Sequence, residues 1–404
     1  MKILLLTQYF WPESFIINDV VRTLEEQGHE VVVLTGKPNY PNGDIYEGYK
    51  AFGIQSERYL NRVEVLRVPL FPRGNGKAKN LILNYLSFVF SGLFFSSWML
   101  RGRKFDVIFV FGLSPIIQVI PAIFLKFIKK TKLIVWVQDL WPESLSATGF
   151  VRNKKILSAI GFLVRGIYFY CDKLLVQSRG FIEAVSKYSE REKIYYYPNS
   201  IRHDVLDVEI NLPAELIDLL SKNFCVVFAG NLGSAQALET LVQAAEYLRD
   251  DPCIKLVLIG SGSRSDWLEE QKINRELDNL VLPGRFPMEA MPQIFDKASA
   301  LLVSLNDAPA FSQTIPSKIQ AYLAAGKPII ASINGEGAQV VLEAGAGVVS
   351  PAEQVLPLVN NIKYMKRLSI SERNAMGESG KEYFDRNFEM KSQVRKLVDL
   401  LKCN

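Results

Sequence analysis

The stretch TIPSKIQAYLAAGKPIIA, residues 314–331, decides how the second half of the chain is read. Its apolar residues recur at helical spacing, Gly326 stands where a left-handed residue ends a helix, and 328–331 reads as a short buried strand. Ser317 and Lys318 therefore stand at a predicted helix N-terminus, where backbone N–H groups and the helix dipole favour an anion. An ordinary helix start in an α/β domain would show the same pattern.

The composition bounds the class of protein. A chain of 404 residues with 49% hydrophobic and 22% charged residues predicts a folded protein of two domains. Its four cysteines are scattered without a CxxC pair, which fits free thiols in a reducing compartment. Only two histidines and no Asp-x-Asp pair occur, so zinc catalysis is poorly supplied and we predict no metal or cofactor. The N-terminal apolar run is too short for a signal peptide.

Charge is unevenly spread along the chain. Residues 1–200 contain 26 Lys and Arg against 16 Asp and Glu, a net +10, whereas the remainder has 21 against 26, a net −5. A basic first half suggests an anionic partner there, such as phosphate or a lipid headgroup. Because no nucleic-acid-binding motif occurs, we predict no nucleic acid partner.

Strand-length apolar runs alternate with helical patterns through two regions, which predicts parallel sheets with right-handed crossovers. A turn near Pro198 separates the regions. We predict an α/β protein with two Rossmann-like domains facing across a cleft, at 1–197 and 206–385, followed by a helical tail at 386–404. The predicted strands are Lys2–Thr7, His29–Thr35, Val63–Val68, Asp106–Val110, Lys132–Val137, Lys173–Val176, Cys225–Ala229, Lys255–Ile259, Val281–Leu282, Ala300–Ser304, Pro328–Ala331 and Gly347–Val349.

Two glycine-rich loops follow strands of the second domain, one at 230–234 and one at 260–263. Glycine lets a backbone approach a ligand closely, although a tight βα turn also favours it. With a lysine as countercharge, the two loops indicate a nucleotide diphosphate site. The predicted donor-binding residues are Gly230, Asn231, Gly233, Ser234, Gly260, Arg285, Ser317 and Lys318.

Acidic and aromatic residues follow strands of the first domain. Asp139, Trp141 and Glu143 come after the predicted strand Lys132–Val137, at the edge where sites gather in this architecture. Either carboxylate could orient a sugar hydroxyl or assist proton transfer, and either could instead cap the next helix. Aromatic loops after the first two strands suit a carbohydrate, or could be loop packing. The predicted acceptor-binding residues are Tyr9, Phe10, Glu13, Asn39, Tyr40 and Trp141.

Together these residues resemble glycosyltransferase family 4, in its bacterial O-antigen and capsule branch, which includes an L-fucosaminyltransferase. The resemblance covers nearly the whole chain and implies a GT-B fold, a UDP-sugar donor in the C-terminal domain, and retention of anomeric configuration without metal. It implies a glycan on a polyprenyl diphosphate as acceptor. From their positions in the sequence, we predict Asp139, Glu143 and Lys318 as the catalytic residues. The motifs are Gln8-Tyr9-Phe10-x-Pro12-Glu13, GHEV at 28–31, PNYP at 38–41, QDLWPES at 138–144, PSK at 316–318 and AGKP at 325–328.

The chain departs from the wider family at two places. Gln313 and Ala321 stand where that family often has two glutamates eight residues apart, and we expect Glu336 and Glu343 to replace them. The family's Arg and Lys after the first glycine loop are also absent, since Gln236 and a serine stand there. This places more weight on Lys318 and Arg285 as the cations of the donor site.

A charge-free stretch of 20 residues, Leu81–Leu100, reaches membrane-spanning length. It contains Asn84 and four serines, has basic flanks, and is followed by a second apolar helix at 116–128 with lysines at its end. We favour attachment in the plane of an anionic membrane over a buried core helix or a true span. The expected location is the inner face of the cytoplasmic membrane.

Two other functions remain open from the sequence. A UDP-sugar 2-epimerase also has two facing Rossmann domains, but it needs several carboxylates and a histidine in the cleft, and this chain is poor in histidine there. A non-catalytic membrane scaffold with the same fold would fit the missing glutamate pair.

Overall fold

The computed structural model describes residues 1–147, 151, 153–202 and 210–402. The chain divides into two compact units: Met1–Arg202 with Met390–Asn404, and His203–Glu389. The boundary predicted at 206 lies outside the described residues.

The first unit is built on an eight-stranded sheet of order β3-β4-β2-β1-β5-β6-β7-β8. All neighbouring strands are parallel except β3, which pairs antiparallel with β4. The central strands are continuous apolar runs because helices cover both faces of the sheet. The strands are β1 (Lys2–Leu6), β2 (Glu30–Thr35), β3 (Gln55–Tyr59), β4 (Val63–Arg67), β5 (Val107–Gly112), β6 (Lys132–Val137), β7 (Lys173–Val176) and β8 (Ile194–Tyr196).

Among the described residues, six helices lie between these strands. One face of the sheet packs on the second, third, fifth and sixth of them, through a core that includes Phe88, Ala122, Val164 and Phe181. The first helix covers the other face. The helices are α1 (Ile16–Glu26), α2 (Ala78–Met99), α3 (Ile120–Lys129), α4 (Glu143–Ala147), α5 (Lys154–Phe169) and α6 (Gly180–Ser186), with 3-10 turns at Ile116–Val119 and Arg191–Lys193.

The second unit has a six-stranded parallel sheet of order β11-β10-β9-β12-β13-β14. Its strands are β9 (Phe224–Ala229), β10 (Ile254–Ile259), β11 (Leu280–Gly284), β12 (Ala300–Ser304), β13 (Ile329–Ser332) and β14 (Gly347–Ser350). Its helices are α7 (Ala214–Lys222), α8 (Leu238–Tyr247), α9 (Ser265–Asn274), α10 (Met291–Lys297), α11 (Pro309–Ser312), α12 (Ser317–Ala324), α13 (Glu336–Glu343), α14 (Val355–Arg367) and α15 (Ile370–Asn387), with 3-10 turns at Ser234–Gln236 and Met288–Ala290.

The last helix, α16 (Met390–Leu401), belongs to the first unit. Its apolar residues, among them Val394 and Leu397, are buried beside α1 on the second face of the first sheet. The predicted tail at 386–404 is therefore divided, because α15 ends at Asn387 in the second unit and a new helix begins at Met390. Residues 403–404 lie outside the described part of the chain.

All twelve predicted strands are present, and the predicted α/β class with two Rossmann-like sheets is confirmed. Two strands were not predicted. β3 has a polar, half-exposed pattern at the sheet edge, and β8 lies in the stretch that we interpret from sequence as the turn between domains.

Candidate active site

The two glycine loops of the second unit lie against each other at the carboxyl ends of β9 and β10, which are neighbours. Gly230 and Gly260 have φ of +140° and +145°, and a Cβ on Gly260 would overlap the carbonyl oxygen of Gly230. The amide of Leu232 donates to the carbonyl of Ser261 at 3.0 Å, which joins the loops further. Only glycine permits this approach, so the loops form one surface of closely spaced backbone.

Lys318 lies directly over this surface. A Cβ on Gly230 would be 2.6 Å from Lys318 Cε. The Lys318 ammonium lies 3.6 Å from the ring centroid of Phe228 and donates to Gln236 Oε1 at 2.6 Å. Burial lowers the pKa of Lys318 to about 7. The sequence prediction that Lys318 and the 230–234 loop lie together therefore agrees with the geometry.

The position of Lys318 follows from the packing of α12. Ile319 and Leu323 are buried in the core, and Tyr322, one turn after Lys318, accepts a hydrogen bond from the amide of Ala229 at 2.9 Å. This bond fixes α12 against the end of β9, with Lys318 one turn earlier on the same helix. Ser317 is exposed at the start of the same turn.

Two polar residues of this site were not predicted as functional. Gln236 holds the Lys318 ammonium, and Asn306, after β12, binds the carbonyl of Ser234 at 2.8 Å and the amide of Ala237 at 2.7 Å. Asn306 thereby fixes the turn that carries Gln236. The sequence signal was present for Gln236 alone, since it stands where the wider family has a cation.

Two further predicted donor-binding residues, Arg285 and Glu336, lie on the same side of the second sheet as the glycine loops. Arg285 is exposed and follows Gly284, whose carbonyl accepts from the Gly260 amide at 2.9 Å, so it lies next to the second glycine loop. Glu336 is the first residue of α13 and lies at the carboxyl edge of the sheet.

Glu343 does not lie at the candidate site, so the prediction for this residue is wrong. It is the last residue of α13, about 10 Å along the helix from Glu336 at 1.5 Å per residue. It is exposed there and accepts a hydrogen bond from the Tyr383 hydroxyl at 3.1 Å. Glu343 therefore lies at the opposite end of the helix from the glycine loops, and we remove it from the candidate site.

In the first unit, the buried carboxylate of Glu13 joins the loops after β1 and β2. It accepts hydrogen bonds from the amides of Phe10 at 3.1 Å, and of Asn39 and Tyr40 at 2.8 Å. Burial raises the pKa of Glu13 to about 7, although the three amides act in the opposite direction. The geometry therefore indicates a residue that positions these loops.

The aromatic residues of these loops differ in exposure. Phe10 is fully buried in the core of the first unit and cannot reach a ligand, so we drop it from the acceptor-binding set. Tyr9 is also buried, whereas Tyr40 is exposed. The buried Asn39 side chain accepts from Asn84 of α2 at 3.2 Å, and Asn84 accepts from Gln8 at 2.7 Å.

The loop after β6 carries the predicted carboxylates. Asp139 is half-buried at the end of the strand, and it raises the pKa of the nearby Tyr85 phenol, for which burial is the larger cause. Glu143 begins α4 and accepts from the Tyr188 hydroxyl at 3.3 Å, which favours its structural interpretation. Trp141 donates to Ser114 Oγ at 2.9 Å and packs against the core.

Comparison with known proteins finds a family match and a relative of similar length. Residues 217–383 match the family described as Glycosyl transferases group 1. The chain is 24% identical to the Escherichia coli K12 protein named as colanic acid biosynthesis glycosyl transferase WcaI, over 99% of both chains.

Solved structures share the fold. Sucrose-phosphate synthase from Thermosynechococcus elongatus superposes with a TM-score of 0.70 at 15% identity, covering 99% of this chain and 98% of that one. Anabaena HepE in complex with UDP gives 0.66 at 14% identity, covering 99% of each chain. The chain therefore has the GT-B fold, and the match to the Glycosyl transferases group 1 family lies within its second unit.

Proposed function

We propose that the protein is a glycosyltransferase of bacterial surface polysaccharide biosynthesis, which transfers a sugar from a UDP-sugar to a lipid-linked glycan. The observation that carries the proposal is the lysine of α12 seated over two interlocked glycine loops. Support comes from the family match of the second unit, from WcaI, whose name refers to colanic acid biosynthesis, and from HepE, whose structure contains UDP.

In this proposal the second unit stabilises the leaving group. As the bond between the anomeric carbon and UDP breaks, negative charge develops on the diphosphate. The Lys318 ammonium and the N–H groups of the 230–234 loop would bind that charge, and positioning would supply the rest of the catalysis. The sequence resemblance adds attack by the acceptor hydroxyl from the same face, retention of configuration, and independence from metal.

The sequence resemblance to the L-fucosaminyltransferase WbuB supports our proposal for the donor sugar, and the first unit supplies the candidate acceptor residues. The resemblance suggests UDP-N-acetyl-L-fucosamine as donor. In the first unit, Asp139 is the candidate to orient the acceptor hydroxyl, since Glu143 is already bound by Tyr188. Tyr40, Trp141 and the loops held by Glu13 would contact the acceptor.

We also propose peripheral attachment to the inner face of the cytoplasmic membrane. Helix α2 is long and apolar enough to cross a membrane, and 28% of its most apolar window is buried. One stripe of the helix, which includes Asn84, Phe88 and Ser96, packs on the fold. A span would pull this stripe from the sheet, so we favour a helix lying in the membrane plane.

An exposed surface on three neighbouring helices would form the contact. Gly92 of α2 lies against Pro121 of α3, and Phe127 of α3 contacts Tyr170 after α5, with ring centroids 5.7 Å apart. Basic residues lie at the helix ends, as expected for anionic lipid. We name as the outer aromatic face the exposed residues Phe90, Phe94, Trp98, Phe124, Phe127, Phe162 and Phe169.

Vesicle flotation tests the attachment. Wild-type protein should float with phosphatidylglycerol vesicles, and the double change Phe94→Glu and Trp98→Glu should abolish this because both side chains are more than 60% exposed on α2. Phe52→Glu, which changes an aromatic side chain 81% exposed in a loop, is the matched control and should float as the wild type does. Equal flotation of all three would contradict the attachment surface.

Product analysis tests the activity. The protein is incubated with a panel of UDP-sugars and a polyprenyl-diphosphate-linked glycan, with and without EDTA. We expect sugar on the lipid-linked product in both conditions, with the donor's anomeric configuration. Epimerised donor without transfer would indicate the 2-epimerase, and an unchanged donor with every acceptor would indicate a scaffold.

A further inference from the structure

Arg73 of the first unit has an unusual environment. It lies in the segment between β4 and α2, at the same sheet edge as the loops after β1 and β2. Its guanidinium donates to the Tyr9 hydroxyl at 2.7 Å and lies 5.7 Å and 5.2 Å from the ring centroids of Tyr9 and Tyr40. The side chain is thus held by two aromatic rings in a half-buried position.

The charge of Arg73 has no acidic partner within the described parts of the chain. By contrast, Arg67 pairs with Glu57 and Arg103 pairs with Glu64 in the same unit. The phenol of Tyr9 is not a counter-ion, because burial raises its pKa far above the physiological range. A guanidinium fixed in place without a carboxylate is available for an anion, and its fork geometry fits phosphate oxygens.

The surroundings indicate which anion. Lys77 and Lys79 follow Arg73 at the start of α2, and the exposed apolar residues of that helix begin at Ile82. Tyr85, one turn further, is close enough that the charges of Arg73 and Asp139 both act on its pKa, which burial raises. A cation therefore lies between the helix that we propose to face lipid and the candidate acceptor loops.

We infer that Arg73 binds the diphosphate of the lipid-linked acceptor, at the junction of its polyprenyl chain and its first sugar. The order of groups in such an acceptor, lipid then diphosphate then sugar, matches the order of apolar helix, Arg73 and acceptor loops. This inference rests on the proposed function. It assigns to the first unit a second diphosphate site, separate in the sequence and in the fold from the donor site at Lys318.

Binding of farnesyl diphosphate in detergent micelles, measured by calorimetry, tests the assignment. Arg73→Gln should weaken binding about ten- to one-hundredfold, and Arg73→Lys, which keeps the charge and loses the fork, by about three- to tenfold. Arg58→Gln is the matched control, because it removes the same charge from an exposed position on β3, opposite Glu64 and away from both ends of α2. It should stay within about twofold of wild type, since it lies outside the acceptor edge.

Farnesol and phosphatidylglycerol identify the group that is bound. Farnesol should bind wild type and Arg73→Gln equally, and phosphatidylglycerol should not displace farnesyl diphosphate. Wild-type affinity for farnesyl diphosphate in Arg73→Gln or in Arg73→Lys overturns the assignment. An equal loss of farnesyl diphosphate affinity in Arg58→Gln, an equal loss of farnesol affinity in Arg73→Gln, or displacement by phosphatidylglycerol also overturns it.

UDP binding separates this inference from the proposed function. All variants should bind UDP as the wild type does, which also shows that they are folded. If wild type binds UDP and the Arg73 substitutions leave the affinity for farnesyl diphosphate unchanged, only the Arg73 assignment fails. If wild type does not bind UDP, the proposed function itself fails.

Discussion

Replacing Lys318 with methionine should remove most of the affinity for UDP and at the same time stabilise the second unit. Methionine keeps the length of the side chain over Gly230 and Phe228 and removes the buried ammonium. In the unliganded protein the Lys318 ammonium donates a hydrogen bond to Gln236, which holds the charge in position for a ligand. Because the ammonium is buried with no carboxylate partner among the described residues, keeping it charged lowers the stability of the fold.

The loss of affinity follows from the bond that is removed. A hydrogen bond between a charged donor and a phosphate is worth about 1.5–3 kcal/mol, so the Kd for UDP should rise about 10- to 100-fold. With a pKa of about 7, the ammonium fraction of Lys318 falls from about one half at pH 7 to about one hundredth at pH 9. Wild-type affinity should therefore fall by up to about 50-fold over this range, while that of Lys318→Met stays nearly constant.

Lys318→Met should lose UDP affinity but gain folding stability. The pKa of Lys318 is lower in the folded state than its usual value of 10.5, so the unfolded chain binds more protons between about pH 7 and pH 10. The penalty is fully present below pH 7 and disappears as the pH rises. Lys318→Met should thus gain about 1–3 kcal/mol at pH 6, or several degrees in Tm, and progressively less above pH 7.

Calorimetric titration with UDP and thermal unfolding, each between pH 6 and pH 9, are the assays. Lys297→Met is the control, since Lys297 is an exposed lysine of the same unit, and both its Kd and its Tm should match wild type. Equal UDP affinity in wild type and Lys318→Met, or a wild-type affinity that is constant with pH, would refute the role of the buried ammonium.

Two further substitutions test how the loops are held. Glu13→Ala leaves three amides without their acceptor, two of them buried, so it should destabilise the first unit by about 2–4 kcal/mol. Urea unfolding followed by tryptophan fluorescence measures this change, and an unchanged midpoint would contradict the positioning role. Gly260→Ala places a Cβ on the carbonyl of Gly230, so it should lower Tm and weaken UDP binding at least about tenfold. The control Gly166→Ala adds a Cβ in open space on α5 and should change neither quantity. Normal UDP binding in Gly260→Ala would argue against the interlocked loops.

Most of the fold was predictable because parallel strands buried on both faces are continuous apolar runs. β6, β7 and β12 have the predicted bounds, and the other predicted strands differ by one or two residues at their ends. β3 was not predicted, because an edge strand with polar residues lacks that signal. The predicted tail was wrong in its continuity, since amphipathic spacing does not reveal that α15 and α16 pack on different units.

The site was predictable where function depends on backbone type and on the order of elements. The glycine loops directly follow β9 and β10, and Lys318 lies in the first turn of α12, which comes after β12. In a parallel sheet, residues that follow strands lie at the carboxyl edge, where ligands bind. Glu343 was wrong because the length of α13 separates it from that edge. The buried state of Glu13 was not predictable, because it depends on amides 26 and 27 residues away in the chain.

A structure of the protein with UDP is the most direct test of the central claim, that α12 and the two glycine loops hold the leaving diphosphate. We expect a diphosphate oxygen within about 3 Å of Lys318 Nζ, with the Lys318–Gln236 hydrogen bond broken or shared, and N–H groups of the 230–234 loop on the phosphates. A diphosphate bound elsewhere, with Lys318 still on Gln236 and Phe228, would contradict the account.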